Sequence, residues 1–257
     1  MSPKEIKEKH PVELRTKWEC PEEGGVPLLT MPNLPKPTHT LAPRNIFGKS
    51  VWDTMRKRGY FFANYKSEIS GEDGSAPGGL HFHEGYSIDY ETGTSTFKRG
   101  FAITPLEHVY FIHSGRAITL YKNKNYLYSA PKLLEGAEHG FKLIYEWNKA
   151  HPDEPKLKCY NTFLDYLKEP DLIKPMEELI KKYEIEFWTE DKTKRAPWGE
   201  WKVVIGNKEY PTPYKDIHAW EEAMKKQGEK DSDRLAAKEN PFKGGVWDEV
   251  EAFLKED

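Results

Sequence analysis

The sequence predicts an α+β protein in which a histidine-rich β-β-α unit is embedded in a larger, mainly helical domain with short β-hairpins. Three observations predict it. Residues 80–103 alternate apolar and polar side chains on either side of a Glu91-Thr-Gly-Thr94 turn, which is the period of a two-stranded hairpin. Thr104-Pro105 then opens a helix that carries His108 and His113. Beyond residue 130 the apolar positions recur at helical spacing in several separate runs.

Element by element, residues 1–45 are rich in Pro and Gly, as in Cys20-Pro-Glu-Glu-Gly-Gly25 and Met31-Pro-Asn-Leu-Pro-Lys-Pro37, and predict an extended arm. From Lys49 onward Val51, Trp52, Met55, Tyr60 and Phe62 approximate a helical stripe, with Ser50 as N-cap and Gly59 as its weak point. The glycines between 65 and 80 form a loop leading into a strand at Leu80–Ile88, and Thr94–Ile103 is the return strand. Pro131–Asn148 is an amphipathic helix with Pro in its first turn. Cys159–Leu167 and Leu172–Tyr183 are two more helices, divided by Pro170. Ile185–Thr189 and Trp201–Ile205 read as short strands, the second turning at Gly206-Asn207, and a charged helical tail follows Pro211. The chain therefore divides into 1–45, 46–130 and 131–257, with Trp52 and Trp147 expected in the core.

Composition narrows the class of function. Charged residues make up 32% of the 257 positions and no stretch approaches the roughly 18 apolar residues of a membrane span, so a soluble, cytoplasmic protein with no membrane partner is expected. The first ten residues lack an apolar run, unlike a secretory signal. Two cysteines, Cys20 and Cys159, supply neither a disulfide framework nor a cysteine zinc site. The net charge of −3 conceals a local basic excess, since Arg44, Lys49, Arg56, Lys57 and Arg58 precede the histidine window and Lys98, Arg99 and Arg116 lie in or beside it.

Four of the nine histidines fall in that window: His81 and His83 on the first strand, His108 and His113 after the second. Neutral imidazole is the commonest metal ligand. His81 and His83, two apart on a strand, share one face. His139, in the next helix, reads as a structural residue.

His83-Glu84, a hairpin turn, then Pro105 and His108 resemble the HNH, or ββα-metal, endonucleases over roughly residues 60–120. In that family the hairpin supplies a histidine-containing pair and the following helix a further histidine, all around one divalent ion. Many members flank the unit with two Cys-x-x-Cys knuckles on a structural zinc. Here Ser67-Glu-Ile-Ser70 and Thr104-Pro-Leu-Glu107 stand at those offsets, and these side chains cannot replace four thiolates, so no structural zinc is expected. Ile112-His-Ser-Gly-Arg-Ala117 and Leu133–His139 are also similar to segments of longer phage and bacterial HNH-type proteins.

The resemblance implies metal-dependent cleavage of nucleic acid, DNA before RNA, with one Mg²⁺ or Mn²⁺ and with Zn²⁺ as the other chemically allowed ion. It places His83 and Glu84 in the positions of the paired residues, one as metal ligand and one as base, in an order that stays open. His108 is the carried-over helix ligand; His81, His113 or Asp89 would complete the shell, and Arg116 or Arg99 would meet phosphate. Two other readings stand beside it. One is a decayed nuclease fold that binds nucleic acid, or binds a protein partner through the helices beyond residue 130. The other is a zinc hydrolase of another kind on His81, His83 and His108.

Overall fold

The alternation at 80–103 folds as a hairpin, β1 (His81–Asp89) against β2 (Thr94–Ile103), antiparallel and closed by a turn in which Gly93 takes φ 66°. A computed structural model describes residues 25–74, 79–125, 127–188 and 194–236. A bulge at Gly85/Tyr86 sets Gly85 opposite Arg99 but Tyr86 opposite Phe97, so the strands change parity there. His83 and Phe101 thereby share one face, while Tyr86 and Phe97 belong to the other.

Each face has its own core. On one side Phe101 and Ile103 pack with Phe111, Phe141, Phe163 and neighbours, all buried. On the other, Phe82, Tyr86 and Phe97 meet Trp52 and Met55 of the preceding helix together with Val203 and Ile205. Fully burying one such side chain stabilises by about 1.5–3 kcal/mol.

The stretch before the hairpin is less extended than its prolines suggest. Residues 25–47 form two short 3₁₀ turns, Val26–Thr30 and Lys36–Leu41, and a single α-helical turn, α1 (Pro43–Phe47). Leu28 and Leu29 are buried in the first core, which gives this strap an anchor that composition did not reveal. The rest of the predicted arm, residues 1–24, lies outside the described residues. Helix α2 (Lys49–Phe62) starts two residues before the expected position, capped by Gly48 with φ 83° instead of by Ser50. Its Gly59 is a contact point: a Cβ there would lie 2.2 Å from the Phe82 ring.

After β2 the chain enters a π-helical segment, Leu106–Ile112, and then α3 (Ser114–Lys122) and α4 (Ala130–Ala150). α4 lies against the π-helical segment through Gly136 and Gly140, and a Cβ on Gly140 would sit 2.1 Å from Phe111 Cδ2. Gly140→Ala is therefore expected to destabilise by about 1–3 kcal/mol through overpacking, although alanine alone favours a helix by about 1 kcal/mol. A melting temperature at or above that of the parent would refute this packing. Trp52 is in the core as expected. Trp147 is not: it is half-buried near the end of α4 and stacks on His151 at 4.4 Å.

The expected helix at Cys159–Leu167 begins instead as β3 (Cys159–Tyr160), whose Cys159 N–H bonds the Glu186 carbonyl, and continues as a 3₁₀ helix, Asn161–Lys168. α5 (Ile173–Lys182) leads to β4 (Phe187–Trp188), which pairs parallel with β3. β5 (Lys202–Ile205) and β6 (Lys208–Pro211) form the second hairpin, and β5 joins β2 in parallel to give the sheet order β1-β2-β5-β6. Among the described residues β1, which carries His81 and His83, is thus an edge strand. Residues 214–236 belong to a separate unit containing α6 (Ile217–Ala236), with the Asp216 carboxylate accepting the Ala219 N–H. No described helix is long and apolar enough to cross a membrane.

Candidate metal centre

His81 and His83 project from β1 toward the π-helical segment, and all four window histidines meet there. His108 is the hub. Its Nε2 lies 3.1 Å from His83 Nδ1 and 3.1 Å from His113 Nε2, while its Nδ1 lies 2.8 Å from His81 Nδ1.

The backbone explains why His113 can take part. On an α-helix five residues turn through about 500°, which would leave His108 and His113 about 140° apart. In the wider π spiral the His113 N–H donates to the His108 carbonyl at 3.0 Å, so one full turn separates them and both rings face β1. Single π turns are frequent at functional sites.

One nitrogen each from His83, His108 and His113 lies within 4.8 Å of the others. Zn–N bonds of 2.0–2.1 Å in a tetrahedral arrangement separate ligand nitrogens by about 3.4 Å, close to what the rings already adopt. His81 lies outside this trio. It bonds the far nitrogen of His108, and with Nε2 of His108 directed at an ion the His108 proton sits on Nδ1, where His81 Nδ1 accepts it. The expected ligand His81 thus stands outside the trio, with His108 between it and the point of convergence.

Electrostatics keep the trio neutral. Burial lowers His83 well below the ordinary histidine range, aided by the neighbouring His113 and His108. Burial, then His113, His81 and Arg116, lowers His108 to about 2; burial, Arg116 and other nearby histidines lower His113 to about 4. Neutral rings have a lone pair for a metal. His83 is 2% exposed and its Nε2 has no hydrogen-bond partner among the described residues, so Nδ1 is that ring's polar outlet.

Glu84 is half-buried, with Oε2 3.9 Å from His83 Nδ1, and burial pushes its carboxyl up to about 7 against the pull of Arg44. Arg116 is exposed on α3, one turn from His113, whose carbonyl accepts its N–H. Arg56 is close enough to His81 to lower its pKa, after burial. A carboxyl group and two guanidinium groups therefore border the imidazoles, with a third guanidinium, that of Arg44, acting on Glu84.

Two candidates are placed elsewhere. Asp89 is exposed at the far end of β1, where it accepts the Glu91 and Thr92 N–H groups and shapes the hairpin turn. Arg99 is 7% exposed and pairs with the carboxylate of Glu68, which also accepts the Ala102 N–H, so its charge is committed inside the fold. Glu68 gave no sequence signal for this role.

The four positions at the knuckle offsets do converge, around the fully buried carboxylate of Glu107. Its Oε2 accepts the Ser67 hydroxyl at 2.7 Å and the Thr104 N–H at 2.7 Å, and Ser70 also hydrogen-bonds it. Ser67 Oγ accepts the Ile69 and Ser70 N–H groups, and Thr104 Oγ1 accepts that of Glu107. His139 completes the network at 3.4 Å, a structural place for this histidine. Comparison of the chain with protein-family models, with curated proteins and with solved structures gives no match.

Proposed function

We propose that the protein is a metal-dependent phosphodiesterase acting on nucleic acid, an HNH-type (ββα-metal) endonuclease with DNA as the favoured substrate. The observation that carries this reading is the convergence of His83 Nδ1, His108 Nε2 and His113 Nε2 where a hairpin meets the helix that follows it. The meeting of Ser67, Ser70, Thr104 and Glu107 at the knuckle offsets supports it as well.

The donor set selects among ions. Imidazole suits Zn²⁺ and its first-row neighbours, whereas Mg²⁺ takes oxygen ligands at octahedral sites. Of Mg²⁺, Mn²⁺ and Zn²⁺, three histidines fit Zn²⁺ best. A bound ion supplies Lewis acidity toward a phosphoryl oxygen and makes water more acidic.

The chain's own groups do the rest. Glu84, beside His83, takes a proton from water. Arg116 neutralises a phosphate oxygen and holds the backbone in place. His81 fixes the tautomer and tilt of His108. Removing such an outer partner weakens metal affinity by about 10–100-fold. His81→Ala is expected to fall in that range and His81→Asn, which keeps an acceptor, to recover part of it. Equal zinc affinities in all three proteins, by chelator competition, would contradict the role given to His81.

The test of the reading is incubation of the purified protein with supercoiled plasmid, linear duplex, single-stranded DNA and RNA in Zn²⁺, Mn²⁺, Mg²⁺ or EDTA, beside His83→Ala. Expected is metal-dependent scission that His83→Ala abolishes. No scission with any ion, or scission that survives the substitution, would dismiss it.

A further inference from the structure

The far end of β1 borders a second feature, unrelated to the histidines: a cleft of about 370 Å³ lined by Ile88, Tyr90, Leu157 and Trp188 together with Lys156 and Lys158. Trp188, on β4, is 40% exposed, high for so large an apolar side chain. Its ring rests against Tyr90 at 5.6 Å with 34° between the planes, and Tyr90 in turn meets the fully buried Trp201 edge-on at 5.9 Å. The indole is therefore backed by a fixed aromatic wall while much of its surface remains open.

Two of the described residues that line the cleft are cationic. Lys156 and Lys158 both pair with one carboxylate, Glu186, at 3.0 and 3.1 Å, which leaves an excess of one positive charge among the three. Arg195 adds a guanidinium over the Tyr90 ring at 5.9 Å. An open aromatic platform in an apolar cleft, flanked by ammonium groups, suits a planar aromatic ligand that carries an adjacent anion.

We propose that this cleft receives a nucleobase from a single-stranded stretch of nucleic acid, stacked on Trp188 with its phosphate at Lys156 and Lys158. The inference rests on the nuclease reading and adds the form of the substrate. A base within a duplex is stacked on its neighbours and has no free face, whereas single strands offer theirs to aromatic side chains. Ile88 at the cleft and His83 at the metal centre are five residues apart on the same edge strand, about 17 Å along it. That distance is spanned by a few nucleotides of extended single strand.

The test is fluorescence anisotropy in EDTA, where no cleavage interferes, with a labelled eight-nucleotide oligo(dT), a duplex of equal length, and dTMP as competitor. The parent is expected to bind the single strand more tightly than the duplex, and dTMP to compete only weakly. Trp188→Ala should weaken single-strand binding about tenfold, since one stacked base contributes about 1–3 kcal/mol, and Trp188→Phe should retain most of it. Lys156→Ala with Lys158→Ala should lower the salt slope by about 1. Melting curves check the fold of each variant, and both lysines are surface-exposed.

No binding of oligo(dT) by the parent, unchanged affinity in the folded Trp188 and lysine variants, or dTMP bound as tightly as the oligonucleotide would each overturn the proposal. These results are separable from the fate of the nuclease reading. Scission that depends on His83 alongside an indifferent Trp188 would dismiss the cleft alone. Binding that depends on Trp188 without scission would keep the cleft and dismiss the chemistry.

Discussion

Replacing His108 with alanine is expected to lower zinc affinity by about a hundred- to a thousandfold while leaving the fold in place. A four-ligand structural zinc site is worth about 10–16 kcal/mol in small peptides, hence about 2.5–4 kcal/mol per ligand, and each 1.4 kcal/mol is tenfold. His108 should stand at the upper end, because its Nε2 lies 3.1 Å from both other ring nitrogens of the trio and its Nδ1 engages His81. Thermal stability without metal should fall by about 1–3 kcal/mol, because the buried His83 Nδ1 loses His108 Nε2 as its partner. Chelator competition gives the affinity and far-UV circular dichroism the fold. If parent and variant bind zinc alike, the three imidazoles are not its ligands. If instead the variant unfolds and neither protein binds zinc, the cluster is a structural histidine network.

The composition of the cluster was partly legible in the sequence. Spacing alone placed His81 and His83 on one face, and both touch His108. What spacing could not supply was the π turn. An i, i+5 pair carries no periodic signal, and only the backbone bond from His113 to the His108 carbonyl turns that separation into a shared face. The division between trio and outer partner follows from which nitrogen of His108 faces which ring, a matter of ångströms. Arg99 misled for a different reason. Its partner Glu68 is 31 residues away in sequence, in a glycine-bordered loop, and nothing local indicates that the two are buried together.

The fold was legible where its signals are local. The hairpin follows from alternation and a Gly-containing turn, and α2, α4 and α5 from stripes of apolar residues; each lies within a few residues of its expected bounds. The parallel contacts were not legible. β2 meets β5 about a hundred residues later in sequence, with the Lys202 N–H on the Gly93 carbonyl, and β3 meets β4 through only two residues each. Such pairings are determined by what the rest of the chain leaves exposed, as when Trp201 buries itself behind the first hairpin.

Glu107→Ala is expected to destabilise the protein by about 3–5 kcal/mol. The substitution leaves the Ser67 hydroxyl and the Thr104 N–H, both buried, without the acceptor each has at 2.7 Å, and an orphaned buried donor costs about 1–3 kcal/mol. A buried void adds to that. Glu107→Gln keeps an acceptor oxygen and should cost less, while removing the charge that sets the pH dependence. Burial by itself would raise the Glu107 carboxyl, but hydrogen bonds from His139, Ser70, Thr104 and Ser67 outweigh it and hold the pKa below the ordinary 4.5. Burial would likewise lower His139, and the facing Glu107 raises it above 6.5. Stability from the depressed carboxyl is present above 4.5 and lost as pH falls through its folded value; stability from the raised imidazole is present below 6.5 and lost as pH rises through its folded value. Both contribute fully between those limits, so urea unfolding should show the largest gap between parent and Glu107→Gln near pH 5.5 and a smaller gap at pH 8.5. A gap that does not vary with pH would mean the charges of Glu107 and His139 do not support each other. Because Glu107 adjoins His108 and ties the Ser67 loop and the end of β2 to the π-helical segment, Glu107→Ala should also weaken zinc binding, by changing the position of His108 and not its chemistry. Zinc affinity unaffected by a variant that has lost several kcal/mol would show that this network supports the core alone and that β1 and the π turn hold the trio without it.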